Sequence, residues 1–227
     1  MHAVEHPQEV IVKYIIMCGG TYTSWDTPRH LIEINGEPII ERTIRLLNEN
    51  NVTDIAISSN IPIFERFGVP VLKHDNGYVT TVTEIVGGQW CDAFYPTTEP
   101  TCYLFGDVVF SPEAIKTIVE TETDDIEFFA SSPPFASEYM KPWAEPFALK
   151  VANTKHLRRA IKETKWLDYQ GAFRRRPIMW ELWQVIKETP LNVIDYGNYT
   201  AINDYTCDID FESDVGKFET ILGKLAP

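Results

Sequence analysis

Residues 14–36, YIIMCGGTYTSWDTPRHLIEING, decide how the rest of this 227-residue chain is read. An apolar run at 12–17, of the kind that forms a buried strand, leads into the small and hydroxylic loop Cys18-Gly19-Gly20-Thr21-Tyr22-Thr23-Ser24. Beyond the loop stand Pro28-Arg29-His30, a short apolar stretch with Asn35-Gly36, and an amphipathic helix predicted over 39–50. Small residues let a backbone approach phosphate oxygens, and loop N–H and hydroxyl groups donate to them. A cation beyond the loop meets the remaining phosphate charge as a bidentate or point partner. Strand, small-residue loop, basic residue and helix in this order make a candidate nucleotide site; a plain tight turn is the alternative that a Gly-Gly pair leaves open. The chain contains neither a G-x-G-x-x-G that opens a helix nor a G-x-x-x-x-G-K-[ST].

Outward from this stretch, strands and helices alternate. Strands are predicted at 54–59, 69–73, 101–105 and 126–131, with a short helix at 80–86. A further helix starts at Ser111-Pro112-Glu113, which supplies an N-cap, a first-turn proline and an acid for the dipole. This alternation predicts an α/β fold with a mostly parallel central sheet and right-handed crossovers. The second half is less regular: loop at 132–146, strand at 147–151, helix at 154–164, loop at 166–176, helix at 178–188, strand at 191–195 and a closing helix at 212–225. Trp180 and Trp183 share a helix face there, as core or as subunit interface. Residues 1–10 read as an N-terminal extension and 11–227 as one domain, with no internal repeat or low-complexity segment.

Bulk composition narrows the function classes. A net charge of −13 and a pI near 4.8 argue against a chain-wide nucleic-acid or anionic-membrane surface. A triphosphate can still bind an acidic protein through clustered cations or metal ions. Cys18, Cys91, Cys102 and Cys207 show no C-x-x-C or zinc spacing, which fits free thiols in a reducing cytoplasm. No apolar run approaches the ~18 residues of a membrane span, and the charged, proline-containing start MHAVEHPQEV is unlike a signal peptide.

Ligands of open α/β sheets sit outside the carboxyl ends of the strands. Three features fall there: the loop after Met17, Gly106-Asp107 after Phe105, and Asp208 and Asp210 ahead of the last helix. Singly, each acid has a structural reading as a cap or a helix-dipole partner. Together, beside a phosphate loop, they call for a cation. Two carboxylates aimed at one point repel unless a divalent ion lies between them, and Mg²⁺ takes one or two carboxylates plus phosphate oxygens and waters.

These segments resemble the nucleotidyltransferases with a GT-A-type α/β fold, a family that includes sugar-1-phosphate nucleotidyltransferases and small cytidylyltransferases. Ile15-Ile16-Met17-Cys18-Gly19-Gly20 with Pro28-Arg29 is similar to the family signature LAAGxGxR…PK, and Ile34-Asn35-Gly36-Glu37-Pro38-Ile39-Ile40-Glu41 to its vnGkPli segment. Leu104-Phe105-Gly106-Asp107-Val108 resembles the strand whose Asp binds Mg²⁺, and Cys207-Asp208-Ile209-Asp210 with Phe211-Glu212 resembles DIDTPEDL, which supplies the second ligand. The chain departs from the pattern at Tyr22, where the family has a second glycine, at Ser24-Trp25 near its loop arginine, and at Arg29 in place of its lysine.

The resemblance implies a three-layer sandwich and transfer of a nucleoside monophosphate, CTP favoured for so compact a chain, from a nucleoside triphosphate to a phosphorylated sugar or small alcohol. Pyrophosphate leaves, Mg²⁺ assists, and the setting is cytoplasmic synthesis of cell-surface polysaccharide precursors; a homodimer is compatible with it. Cys18, Gly19, Gly20, Thr21, Tyr22 and Arg29 would hold the triphosphate. Asp107 and Asp210, with Asp208 as the alternative second ligand, would hold the metal. Thr80 or Thr81 would touch base or ribose, or Thr80 would simply cap a helix. Arg174, Arg175 and Arg176, read as the only basic cluster, would meet the acceptor phosphate or form a solvated turn. Two rivals stand beside this reading: a GT-A glycosyltransferase, whose D-x-D would end the central strand where this chain has Gly106-Asp107-Val108-Val109, and a non-catalytic nucleotide-binding module.

Overall fold

The computed structural model describes residues 11–19, 21–22, 25, 27–74, 79–80, 89–131 and 143–225. The first half holds β1 (Lys13–Met17), β2 (Thr21–Tyr22), β3 (Glu33–Ile34), β4 (Glu37–Pro38), α1 (Ile39–Glu49), β5 (Ile55–Ser58), β6 (Val71–Leu72) and β7 (Val79–Thr80). Then come β8 (Thr101–Phe105), β9 (Val108–Val109), α2 (Pro112–Glu120), β10 (Ile126–Ala130) and β11 (Pro146–Val151). The chain closes with α3 (Thr154–Tyr169), α4 (Met179–Ile186), β12 (Thr200–Ala201), β13 (Cys207–Asp208) and α5 (Glu212–Leu225).

Seven strands form the central sheet in the order β12-β10-β11-β8-β1-β5-β6. All pairs are parallel except those of β11, which runs antiparallel to both β8 and β10. β1 lies near the middle and alternates its side chains between two cores. Tyr14 and Ile16 pack with Ile40, Leu47, Ile115 and Ile118 of α1 and α2, while Ile15 and Met17 pack with Leu157, Met179 and Trp183 of α3 and α4. Burial on both faces explains why β1 and β8 read as continuous apolar runs rather than alternating ones. A third cluster, with Ile34, Val109, Ile209, Phe218 and Ile221, seats α5 against the β9/β13 pair.

The expected strands are present: 101–105 as drawn, 147–151 starting one residue earlier at Pro146, and those at 12–17, 54–59, 69–73 and 126–131 with trimmed ends. Elsewhere the structure differs. The helix expected over 80–86 is not observed at its start: Thr80 lies in β7, parallel to β2, and residues 81–88 fall outside the described residues. The loop expected from 166 begins later, because α3 meets no breaker until Gly171, whose φ of +70° ends it. No strand forms over 191–195. Gln184 of α4 donates to the carbonyls of Pro190 (2.6 Å) and Val193 (2.8 Å), holding that segment as a loop, and β12 takes the sheet edge instead. Asn35-Gly36, at φ +51° and +79°, forms the two-residue turn of a β3/β4 hairpin.

Candidate active site

The site is assembled where β1 and β8 end side by side, with Met17 opposite Phe105. The Gly106 N–H donates to the Met17 carbonyl at 3.1 Å. A Cβ at Gly106 would lie 2.5 Å from that oxygen and 2.8 Å from both Cys18 Sγ and His30 Cδ2, so only glycine lets the chain turn here. The turn leaves Asp107 at the carboxyl edge of the sheet. β9 then pairs antiparallel with β13, Val108 opposite Asp208, and the Ile209 N–H donates to the Asp107 carbonyl at 3.0 Å. Two acidic segments distant in sequence are thereby stitched together, as the strand-end reading expected.

Arg29 completes the junction from the 3-10 turn Arg29–Leu31. Its side chain is nearly fully buried; Nη2 lies 2.8 Å from Asp107 Oδ2, and Nη1 lies 2.8 Å from Asp210 Oδ1 and donates to the Ile209 carbonyl at 2.6 Å. The cation that two converging carboxylates require is therefore supplied, between Asp107 and Asp210, by a guanidinium. The sequence assigned Arg29 to triphosphate oxygens and a metal to this gap. His30 beside it is buried, edge-on to the Phe64 ring at 5.8 Å, and burial lowers its imidazole to about 4, so it carries no charge at neutral pH.

A further acid was missed by sequence reasoning. Single carboxylate oxygens of Glu145, Asp208 and Asp210 lie within 4.8 Å of one another. Glu145 is buried and braced: its N–H donates to Ser131 Oγ at 2.9 Å, its carbonyl accepts from the Ser131 N–H at 2.9 Å, and Trp143 Nε1 donates to its carboxylate. Three hard oxygen donors are the chemistry of a Mg²⁺-type site. Only the folding of β11's lead-in against β10 brings Glu145 there, and nothing in its spacing marks it.

A cleft of about 390 Å³ opens over these groups, lined by Arg29, Asp107, Glu145, Asp208, Asp210 and Arg175 among others. Arg175 is the member of the 174–176 run that lines it, and its Nε is held by buried Glu181 at 2.6 Å. Trp180 walls the cleft as a buried side chain, edge-on to Phe128 (5.1 Å) and Tyr196 (4.9 Å). Of the expected nucleotide contacts, Cys18 is buried: its N–H donates to the Ser58 carbonyl and its own carbonyl accepts from Ser59 Oγ, both at 2.9 Å, and burial pushes its thiol well up. Gly19 follows it at the strand end. Thr21 and Tyr22 form β2, whose pairing sets Tyr22 opposite Thr80, so two predicted nucleotide-binding segments run together. Gly20 and Thr81 lie outside the described residues.

No family model matches the chain, and no curated protein does. Solved structures do. The chain is similar to the 4-diphosphocytidyl-2C-methyl-D-erythritol synthase of Anaerococcus prevotii at TM-score 0.57 and 13% identity, over 94% of this chain and 99% of that one. It is similar to the inositol-1-phosphate CTP transferase of T. maritima at TM-score 0.53 and 12% identity, over 96% and 99%. Likeness along nearly the whole of both chains, at identities this low, is likeness of architecture. The protein has the GT-A-type α/β fold of the nucleotidyltransferases.

Proposed function

We propose that the protein is a nucleotidyltransferase that moves a nucleoside monophosphate, from CTP in preference, onto the phosphate of a phosphorylated sugar or small alcohol and releases pyrophosphate. The observation that carries this reading is the convergence of Arg29, Asp107, Glu145, Asp208 and Asp210 in one cleft at the carboxyl ends of β1 and β8, next to the small-residue loop. The shared fold supports it by analogy.

In the proposed reaction an acceptor phosphate oxygen, already ionised at neutral pH, attacks the α-phosphorus in line. The new P–O bond forms as the bond to the β-phosphate oxygen breaks, and the electron pair leaves on pyrophosphate. No general base is needed, so the residues act by placement and by neutralising charge. The small-residue segment that starts at Gly19 is assigned to the triphosphate, the Cys18 N–H being held by the Ser58 carbonyl, and Arg175 in the cleft lining offers a cation to the acceptor phosphate. Arg29 fixes Asp107 and Asp210 relative to each other and offsets their charge. A divalent ion of the Mg²⁺ type fits Asp208, Asp210 and Glu145, with Asp107 turned to Arg29; when bound it neutralises charge on the phosphates.

The test is pyrophosphate release from four nucleoside triphosphates, each with Mg²⁺ and a panel of phosphorylated acceptors. CTP with one acceptor class should be turned over, and Asp210→Ala should lose about a hundredfold in kcat, the equivalent of about 3 kcal/mol, with its circular dichroism unchanged. Tight nucleotide binding without pyrophosphate from any pair would overturn the proposal in favour of a binding module.

A further inference from the structure

A second cavity, away from the catalytic cleft, lies on the face of the sheet covered by α3. It measures about 570 Å³ and shares no lining residue with the cleft. The two are separated by the 3-10 turn Gln89–Ala93, whose Trp90 lines the cleft while Cys91 and Asp92 line this cavity. Its walls are apolar and aromatic: Phe94, Tyr103, Leu157 and Ile161, with the Phe94 and Tyr103 rings perpendicular at 5.2 Å. The Tyr103 hydroxyl is spent on the Tyr95 carbonyl at 2.6 Å, and burial pushes its phenol up to about 12, so it brings no negative charge.

The rim is cationic. Arg158, Lys162 and Lys165 of α3 line it, spaced so that they share a helix face, and Lys155 and Arg159 extend the same face outside it. This second basic cluster was invisible to a reading that counted adjacent residues, because the helical period spreads it along the chain. A solvated helix face is the ordinary use of such a stripe. Two observations go beyond that use. The stripe borders a cavity within the size range of about 300–1,000 Å³ typical of small-molecule sites. Two of its cations also stand without an acidic partner in a chain of net charge −13: Lys165 pairs with Asp92, whereas neither Arg158, whose Nε donates to the Thr154 carbonyl, nor Lys162 has a carboxylate partner among the described residues. Two uncompensated cations match a dianion better than a carboxylate, and the apolar walls match a ring or hydrocarbon body.

We propose that this cavity is a second ligand site, separate from the catalytic cleft, for a small phosphomonoester whose body is aromatic or otherwise apolar. The head meets Arg158 and Lys162, and the body lies on Phe94, Tyr103, Leu157 and Ile161. Attraction by the Lys155/Arg159 extension of the same face brings such an anion to an otherwise acidic molecule.

The probe is phenyl phosphate, titrated into the full chain by calorimetry, beside phenol and inorganic phosphate. Phenyl phosphate should bind at least tenfold more tightly than either fragment. Arg158→Glu and Lys162→Glu, both at exposed positions that leave the core intact, should each weaken it at least tenfold, whereas Asp208→Asn in the cleft should leave its affinity unchanged. The site is overturned if inorganic phosphate binds equally well, if the charge reversals have no effect, if no binding is seen at millimolar probe, or if Asp208→Asn alone changes the affinity. None of these readouts depends on turnover, so a failed catalytic assignment and a failed second site are distinguishable.

Discussion

Arg29 joins three groups from two segments distant in sequence through the two ends of one guanidinium: Asp107, Asp210 and the Ile209 carbonyl. Removing one partner of a fully buried ion pair destabilises by about 3–5 kcal/mol. Here the carboxylates keep 17% and 32% of their side-chain surface exposed, which screens the loss. Arg29→Ala should therefore destabilise by about 2–3 kcal/mol. Arg29→Lys, a point charge that reaches one carboxylate rather than two, should lose roughly half as much. Urea unfolding checks both, and a wild-type midpoint for the alanine variant would show that Arg29 does not clasp the C-terminal segment. Its neighbour His30 gives a pH signature. The imidazole titrates near 6.5 when unfolded and near 4 when folded, so the unfolded state binds the extra proton between those values. His30's contribution is intact above about pH 6.5 and falls as pH drops toward 4, by about 2 kcal/mol between pH 7 and 5. His30→Gln should flatten that segment of the stability–pH curve; parallel curves for variant and wild type would assign the acid sensitivity elsewhere.

At the scale of elements, the junction of β1 and β8 decides whether the cleft exists, and Gly106 is its tightest point. Gly106→Ala would drive a methyl to 2.5 Å from the Met17 carbonyl, which also accepts the Gly106 N–H. The ends of the two strands must then part, and we expect a loss of about 3 kcal/mol together with activity. Gly36→Ala is the contrasting case. Nothing lies within 4 Å of its Cβ, and the loss of about 1 kcal/mol comes only from the positive φ of the hairpin turn. Thermal unfolding of the two variants separates crowding from backbone strain, and equal losses would contradict the close approach. The same elements show what was legible beforehand. Strand cores, the Ser111 cap and the strand-end acids follow from local patterns, and Ser111 Oγ does accept from the Ala114 N–H at 2.9 Å. The Arg29 clasp, the recruitment of Glu145 and the loop at 191–195 depend on partners supplied only by the folded chain, so periodicity and spacing carry no trace of them.

At the scale of the whole molecule, a protein of net charge −13 is proposed to act on two phosphorylated substrates. The cleft does not reverse that sign by itself. It presents Asp107, Glu145, Asp208 and Asp210 against Arg29 and Arg175, and Arg175 is already paired with Glu181. Local and global fields therefore both oppose a metal-free nucleotide. Screening decides how far this reaches: the Debye length is about 30 Å at 0.01 M salt, comparable to the molecule, and about 8 Å at 0.15 M, where only the cleft's own charges matter. Raising the salt between these limits should thus speed nucleotide association, by about tenfold without divalent ions and by less when excess Mg²⁺ has neutralised the triphosphate and the acidic cluster. Stopped-flow tryptophan fluorescence can follow this, because Trp90 and Trp180 line the cleft. Most phosphate-binding sites show the opposite salt dependence. A fall in rate with salt, in the absence of divalent ions, would mean that incoming phosphates meet a positive field, and would direct attention to Arg174, Arg175 and Arg176 as the port of arrival.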